Sequence, residues 1–328
     1  MRPKIYIKDV NTVKFCDING ISFSRIVMGS CYFGTKISER DSFEMLDYYF
    51  AHGGNVVDTA YSYANWLPGG EQASERTVGG WMRSSGVRPL LVTKAGLVER
   101  GGGDCKACLT PENLRSEIEK SLDVLGVSRV DAWLLHRDDR RIPVGEIVDI
   151  CDEFVRDGKT RLIGVSNWDP DRIVEANLWA EKHGKTKFAL SQILWSAAQI
   201  TREQWGDTTL SAMDPESRRF YIDAKMPVMA FSSQAKGFFS KGFRSLDDIT
   251  GPARERFLDN RNAERLETMR RICRENGVSP AAAALAYVTS NPVDGLAIVG
   301  CSRLSQLSDS MSAPDFVMSP ADIAELER

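Results

Sequence analysis

Several short apolar runs in this chain end beside a side chain that can hold or move a proton. Asp58 follows the run 55–57, Lys94 follows 90–93 and His136 follows 130–135, while Ser166-Asn167, Gln192 and Ser232 sit at the ends of three later runs. Tyr63 lies five residues beyond Asp58. A free phenol has a pKa of about 10 and exchanges protons poorly at neutral pH. A neighbouring lysine ammonium lowers that value, and an aspartate paired with the lysine keeps it charged and in place. Tyr63 would then serve as a general acid toward a carbonyl oxygen, with a neutral His136 orienting the same oxygen. None of these groups can deliver a hydride, so reduction of C=O by this set implies a cofactor. Tyr61 competes for the role of acid; the five-residue spacing from Asp58 favours Tyr63.

Such residues must be brought together by regular elements. Short β-branched or apolar runs occur at 25–28, 55–57, 90–93, 130–135, 161–165, 188–193, 228–231 and 296–299, each of the length of a buried strand. Helical patterns lie between them at 39–52, 71–84, 110–125, 144–157, 170–183, 214–225 and 263–276. Thr110-Pro111 and Asp169-Pro170 are start signals, and Gly126 and Gly277 are stop signals. Eight strands alternating with helices predict an α/β fold, a (β/α)8 TIM barrel, with a doubly wound sheet as the alternative. The turn Asn19-Gly20 after the alternating stretch 12–16 predicts an N-terminal β-hairpin that plugs the barrel bottom. The βα loops at 196–213 and 236–262 are longer than a connection requires and are expected to form lids or substrate walls at the C-terminal face, where barrel sites lie. No composition shift or linker divides residues 1–328, which read as one barrel domain.

The 42 basic and 45 acidic residues give a net charge of −3, which argues against a nucleic-acid or anionic-membrane coat. No apolar run is long enough for a membrane span, and Met1-Arg2-Pro3-Lys4 leads into a polar segment without a secretory core. Seven scattered cysteines suit a reducing cytoplasm. Three histidines make a His-rich metal site improbable, and no metal is expected.

The motifs are more specific in combination. Asn55-Val56-Val57-Asp58-Thr59-Ala60-Tyr61-Ser62-Tyr63, the run E-Q-A-S-E-R-T-V-G-G at 71–80, Leu90-Leu91-Val92-Thr93-Lys94, and Arg129 to Asp139 resemble the aldo-keto reductase superfamily. Gly164-Val165-Ser166-Asn167-Trp168, residues 227–232, Gly277 to Ala286 and Ile298-Val299-Gly300 continue the resemblance in order, over roughly residues 12–312. The pattern is that of the bacterial-type branch and is also similar to potassium-channel β subunits. The resemblance implies a barrel that reduces an aldehyde or ketone with NADPH, NADH being possible. It places Asp58, Tyr63, Lys94 and His136 on the four catalytic positions. It also implies nicotinamide contacts from Ser166, Asn167 and Gln192, a stacking platform at Phe231, and pyrophosphate contacts from Ser232, Gln234, Lys236 and Gly237, with Gly29 and Ser30 beside the cofactor. At the 2′-phosphate end Gly300 and Gln306 stand where some members have lysine and arginine, while Ser302, Arg303 and Gln306 resemble the arrangement of the bacterial and channel-subunit branches. Asp309 matches an acidic residue near the adenine, and Ser310 replaces the usual asparagine. The channel-subunit likeness keeps a second reading open, a nicotinamide-binding regulatory subunit with little turnover. An unrelated barrel hydrolase or isomerase using Asp58 and His136 would bind no nicotinamide.

Other signals have plainer readings. His52 and His183 precede glycines and read as helix ends, where a cation suits the dipole. Cys105 and Cys108 have redox or zinc spacing without a second pair. Gly158-Lys159-Thr160 and Gly184-Lys185-Thr186 lack the upstream glycine of a phosphate loop, and Gly101-Gly102-Gly103 lacks dinucleotide-fold spacing and reads as a flexible loop over the mouth. Tyr32, Trp66, Trp168 and Trp195 follow strand ends and are expected to line a substrate pocket, as is the neighbourhood of Cys31. Those aromatics, with Asn65, Arg137, Asp138 and Asp139, would suit a sugar-derived carbonyl. The expected partner is a small carbonyl compound, not nucleic acid or membrane; the oligomeric state is not legible.

Overall fold

A computed structural model describes residues 14–98 and 105–328. The hairpin is β1 (Phe15–Ile18) and β2 (Ile21–Ser24), joined by Asn19 and Gly20 at φ +51° and +80°, the left-handed pair that a two-residue hairpin turn needs. The remaining strands are β3 (Ile26–Gly29), β4 (Val56–Asp58), β5 (Leu90–Ala95), β6 (Leu97–Val98), β7 (Lys106–Ala107), β8 (Val130–Leu135), β9 (Thr160–Ser166), β10 (Leu190–Leu194), β11 (Val228–Phe231) and β12 (Gly295–Val299). Eight of them close into a parallel barrel in the order β3-β4-β5-β8-β9-β10-β11-β12, with β12 returning to β3. The architecture is the (β/α)8 barrel expected from the alternation of runs. β6 and β7 form a small antiparallel hairpin that brackets residues 99–104; Gly101–Gly103, like Thr12 and Val13, lie outside the described residues.

Inward and outward residues alternate along the strands and build two separate cores. The inner one joins Val27, Val56, Val92, Leu134, Leu162, Leu190, Met229 and Leu296 to Cys16, Ile18, Ile21 and Phe23 of the hairpin. The hairpin therefore plugs the barrel bottom, as its position before the first barrel strand suggested. The outer core lies between strands and helices and holds most of the large side chains, among them Trp81, Trp133, Trp168 and Tyr221.

Helices begin at Pro111 and Pro170, behind the predicted starts Thr110-Pro111 and Asp169-Pro170, while the helix expected from 263 begins earlier, at Asn260, behind Asp259. Thr110, Asp214, Asp259 and Ser279 each accept a hydrogen bond from a backbone N–H in the first turn, which satisfies an otherwise orphaned donor. Helix Pro280–Thr289 has no polar face to give it a 3.6-residue rhythm, and every residue from Ala282 to Thr289 is buried, so periodicity does not mark it as amphipathic. The long loops contain short helices at Arg202–Trp205, Phe238–Lys241 and Pro252–Phe257. Among the described residues no helix is long and apolar enough to cross a membrane.

Closure requires close approach of β9 to β10. A Cβ on Gly164 would sit 2.6 Å from the carbonyl oxygen of Leu190 and 3.0 Å from its Cδ2, and backbone cannot yield without moving a strand. Gly164→Ala is expected to cost about 1–3 kcal/mol of stability through overpacking. Urea unfolding checks this, and an unchanged midpoint would refute the tight-contact account.

Candidate active site

The strand ends converge as the barrel geometry demands. Asp58 ends β4, Lys94 lies near the end of β5, and His136 directly follows β8. In the β4–β5 register Asp58 is level with Val92, so Lys94 stands two residues higher on the neighbouring strand and its side chain turns back to the carboxylate. The Lys94 Nζ donates to Asp58 Oδ2 at 2.9 Å, to the Thr59 carbonyl at 2.7 Å and to the Tyr63 hydroxyl at 2.9 Å. The same Nζ lies 2.9 Å from Asp58 Oδ1. The Tyr63 hydroxyl donates to Asp58 Oδ2 at 3.3 Å. The His136 ring meets Tyr63 edge-on, with centroids 5.7 Å apart, and its Nδ1 lies 3.3 Å from Ser62 Oγ. Tyr61 stays outside this set; its ring faces Lys120.

Burial decides the protonation states. Lys94 is fully buried and Asp58 is 1% exposed. Desolvation lowers the Lys94 pKa against the opposing pull of Asp58. Desolvation, and then the Asp58 carboxylate, raise the Tyr63 pKa well above the usual phenol value. This differs from the lowering expected of a nearby ammonium: Asp58 neutralises Lys94, and dry surroundings disfavour a phenolate. Tyr63 is thus a firmly protonated hydroxyl. Desolvation, then Arg137 and Lys94, hold His136 well below the normal imidazole range, so the ring is neutral.

The barrel also supplies contacts that no local motif reveals. Gln192 on β10 donates from Nε2 to Asp58 Oδ1 at 2.8 Å, across the barrel interior. Asn167 takes the left-handed conformation, φ +60°. Its Nδ2 donates to Ser166 Oγ at 2.9 Å and to the His136 carbonyl at 3.3 Å, and its Oδ1 accepts from the Ser211 N–H at 3.3 Å. Ser62, Gln192 as the Asp58 partner, and Ser211 could not be found from spacing, because each acts on a residue in a different element.

The rim past β11 fits a diphosphate-bearing cofactor. Ser232, Ala235, Lys236 and Gly237 all have left-handed backbone, φ +52°, +49°, +55° and +80°, the kind of turn that gathers backbone N–H groups into an anion-holding nest. Phe231 is half-buried at the strand end, with Trp205 edge-on at 6.3 Å. Beyond β12, a Cβ on Gly300 would meet nothing within 4 Å, and Arg303 is exposed. Ser302 donates through backbone N–H and hydroxyl to Gln306 Oε1, at 2.9 and 3.0 Å. Gln234 reaches Ser310 Oγ at 3.1 Å. The expected adenine residue Asp309 accepts from Ser279 at 2.5 Å. Gly29 is paired with Asp58 at the mouth. The Ser30 hydroxyl is buried, bonded to the Asp58 carbonyl and Ser74.

The aromatic expectations divide. Tyr32 and Trp66, 36% and 41% exposed, meet edge-on with centroids 6.4 Å apart at the mouth. Trp168 is fully buried against Phe188 and below the Arg172 guanidinium. Trp195, 2% exposed, packs against Tyr287. Both belong to the outer core, because each side chain leaves its strand end away from the barrel axis, and they do not line the mouth. The polar groups are also spoken for: Arg137 pairs with Asp207, Asp138 with Arg172, Asp139 with Arg141, and Asn65 Oδ1 accepts from the Gln72 N–H.

Residues 25–328 match the family model described as the aldo/keto reductase family. This chain belongs to the aldo/keto reductase family. It is 29% identical to an uncharacterized oxidoreductase of Bacillus subtilis, over 90% of this chain and 88% of the relative. It is 27% identical to a probable aryl-alcohol dehydrogenase of Saccharomyces cerevisiae, over 89% and 88% respectively. Norsolorinic acid reductase stcV of Emericella nidulans is 26% identical, over 94% of this chain and 78% of that protein. The chain is thus an oxidoreductase by family, and the family generally works with nicotinamide cofactors.

A buried neutral histidine in this reductase-family site has a consequence for stability. The unfolded chain takes up a proton below about pH 6.5 and the folded one resists it, so stability held above that pH is lost as pH falls. The stability difference between wild type and His136→Gln, from urea titrations, should shift against wild type by about 1–2 kcal/mol between pH 7 and pH 5. A constant difference would mean that His136 accepts a proton in the folded state.

Proposed function

We propose that the protein is an NADPH-dependent reductase of aromatic aldehydes or ketones, with Tyr63 as the general acid. The observation that carries this reading is the Lys94 Nζ bonded at once to Asp58 and to the Tyr63 hydroxyl, beside a neutral His136. Nicotinamide, when bound, supplies the hydride. Phe231 would offer a face for the ring, Ser166, Asn167 and Gln192 would take its carboxamide, and Ser232, Gln234, Lys236 and Gly237 would take the diphosphate. Arg303 and Ser302 would hold a 2′-phosphate, with Gly300 leaving room for close approach.

The protein's own contribution is orientation and one proton. His136 and Tyr63 would converge on the carbonyl oxygen, and the Tyr63 hydroxyl would pass its proton there as negative charge develops. Lys94 stabilises the resulting phenolate, and Asp58 keeps Lys94 charged despite its burial. Tyr63 is protonated in the free site and so carries the proton that the reaction needs.

Tyr32 and Trp66 support an aromatic substrate over a sugar-derived one. Their rings form an edge-on pair at the mouth, while Arg137, Asp138 and Asp139 are committed to ion pairs and have no free fork for a polyol. The name of the yeast relative, a probable aryl-alcohol dehydrogenase, points to aromatic compounds as well.

Following NADPH absorbance against benzaldehydes and polyhydroxylated carbonyls tests the reading. Benzaldehydes are expected to be the better substrates, and Tyr63→Phe to lower kcat/KM by about 10²–10⁴-fold without loss of NADPH binding. Normal turnover in a folded Tyr63→Phe protein would overturn the assignment. NADPH binding with no turnover on either panel would favour a nicotinamide-responsive binding protein. Arg303→Gln is expected to raise KM for NADPH about tenfold, a loss of about 1.4 kcal/mol, and to leave KM for NADH unchanged; equal effects on both would remove Arg303 from the phosphate site.

A further inference from the structure

A cavity of about 340 Å³ opens in the helical layer outside β10, between helices Pro215–Ala224, Asn260–Asn276 and Pro280–Thr289. Its lining includes Trp195, which the mouth does not use. The charges around it do not balance: three arginines, 218, 219 and 265, face two carboxylates, Asp214 and Glu327. Both carboxylates are occupied. Asp214 caps the Ser217 N–H at 2.7 Å, and Glu327 Oε1 lies 2.9 Å from Arg218 Nε and accepts from Tyr287 and Asn291 at 3.2 and 3.1 Å.

The excess charge rests on Arg265. That side chain is 7% exposed and has no carboxylate within ion-pair distance among the described residues; its Nη1 donates only to the Ala197 carbonyl, at 2.8 Å. Its Nε has no hydrogen-bond partner among the described residues, nor has Oε1 of Gln199, and the Trp195 indole lies beside the Tyr287 hydroxyl on the same wall. Two orphaned polar atoms thus line one cavity, where a buried charge without a counter-charge is costly and an unmet hydrogen bond costs about 1–3 kcal/mol. The burial also pulls the Arg265 pKa down. Leu194, Ile200, Met213 and Ile222 complete the wall with apolar surface.

We infer that this cavity binds a small organic monocarboxylate, its head on Arg265 beside the Trp195 indole and its apolar body along Ile200, Met213 and Ile222. One negative charge neutralises the excess, and a guanidinium fork suits a carboxylate. Apolar walls favour an aromatic or short aliphatic acid over an inorganic anion, whose hydration they cannot replace.

The test follows the Trp195 indole signal in ¹H–¹⁵N spectra of the whole protein, assigned by its loss in Trp195→Phe, during titration with benzoate, octanoate and inorganic phosphate. Saturable shifts with benzoate or octanoate below about 10 mM, and none with phosphate, are expected. Arg265→Gln should weaken binding about tenfold or more, and Ile222→Trp, which fills the cavity with the polar groups intact, should abolish it even if the arginine variant does not fold. No saturable shift in wild type, an equal response to phosphate, or unchanged binding in folded Arg265→Gln or Ile222→Trp would overturn the proposal. The readout involves no turnover, so it stands or falls apart from the reductase reading.

Discussion

The candidate site at the barrel mouth depends on one buried ammonium. Lys94 is without solvent, and an isolated charge there would cost several kcal/mol. The protein meets that cost with both oxygens of Asp58, the Thr59 carbonyl and the Tyr63 hydroxyl. Asp58 is itself buried and is completed by Gln192 from across the barrel. Four elements therefore share one electrostatic knot, and removing any member leaves a charge or a lone pair without an answer.

Behind the knot stands a second buried carboxylate. Glu75 accepts from Thr93 Oγ1 at 2.6 Å, from Gln72 at 3.0 Å and from Ser121 at 3.2 Å, and desolvation raises its pKa. Thr93 precedes Lys94 on the same strand with its side chain on the opposite face, so this bond fixes the strand from outside while Lys94 works inside. The alternation of a β-strand thus turns adjacent residues into one group of the candidate site and one anchor.

The same alternation explains why the tryptophans part company. Tyr32 and Trp66 sit on loops that leave the first two barrel strands and remain at the rim. Trp168 and Trp195 are delivered to the outer core, where the space between strands and helices takes large rings. Around the mouth, Arg137 with Asp207 and Asp138 with Arg172 stitch successive loops together. These ion pairs hold the rim in shape.

The sequence by itself determined the barrel, because each short apolar run and each capped helix carries its signal within a few residues. It also determined which residues end the strands, so Asp58, Tyr63, Lys94 and His136 could be named together from position and motif. It could not determine direction. Whether Trp195 faces the mouth or the helices, whether Gln192 serves a ligand or Asp58, and whether Tyr63 gains or loses acidity all turn on burial and on partners in other elements. Lys94 would lower the Tyr63 pKa on its own; Asp58 and the exclusion of water reverse that outcome. The unpaired Arg265 is invisible in a helix rich in arginines, since only the folded arrangement shows which one is buried without a carboxylate. Local patterns fix which elements form, and the tertiary structure, by deciding what each side chain meets and how much water remains, fixes what those side chains can do.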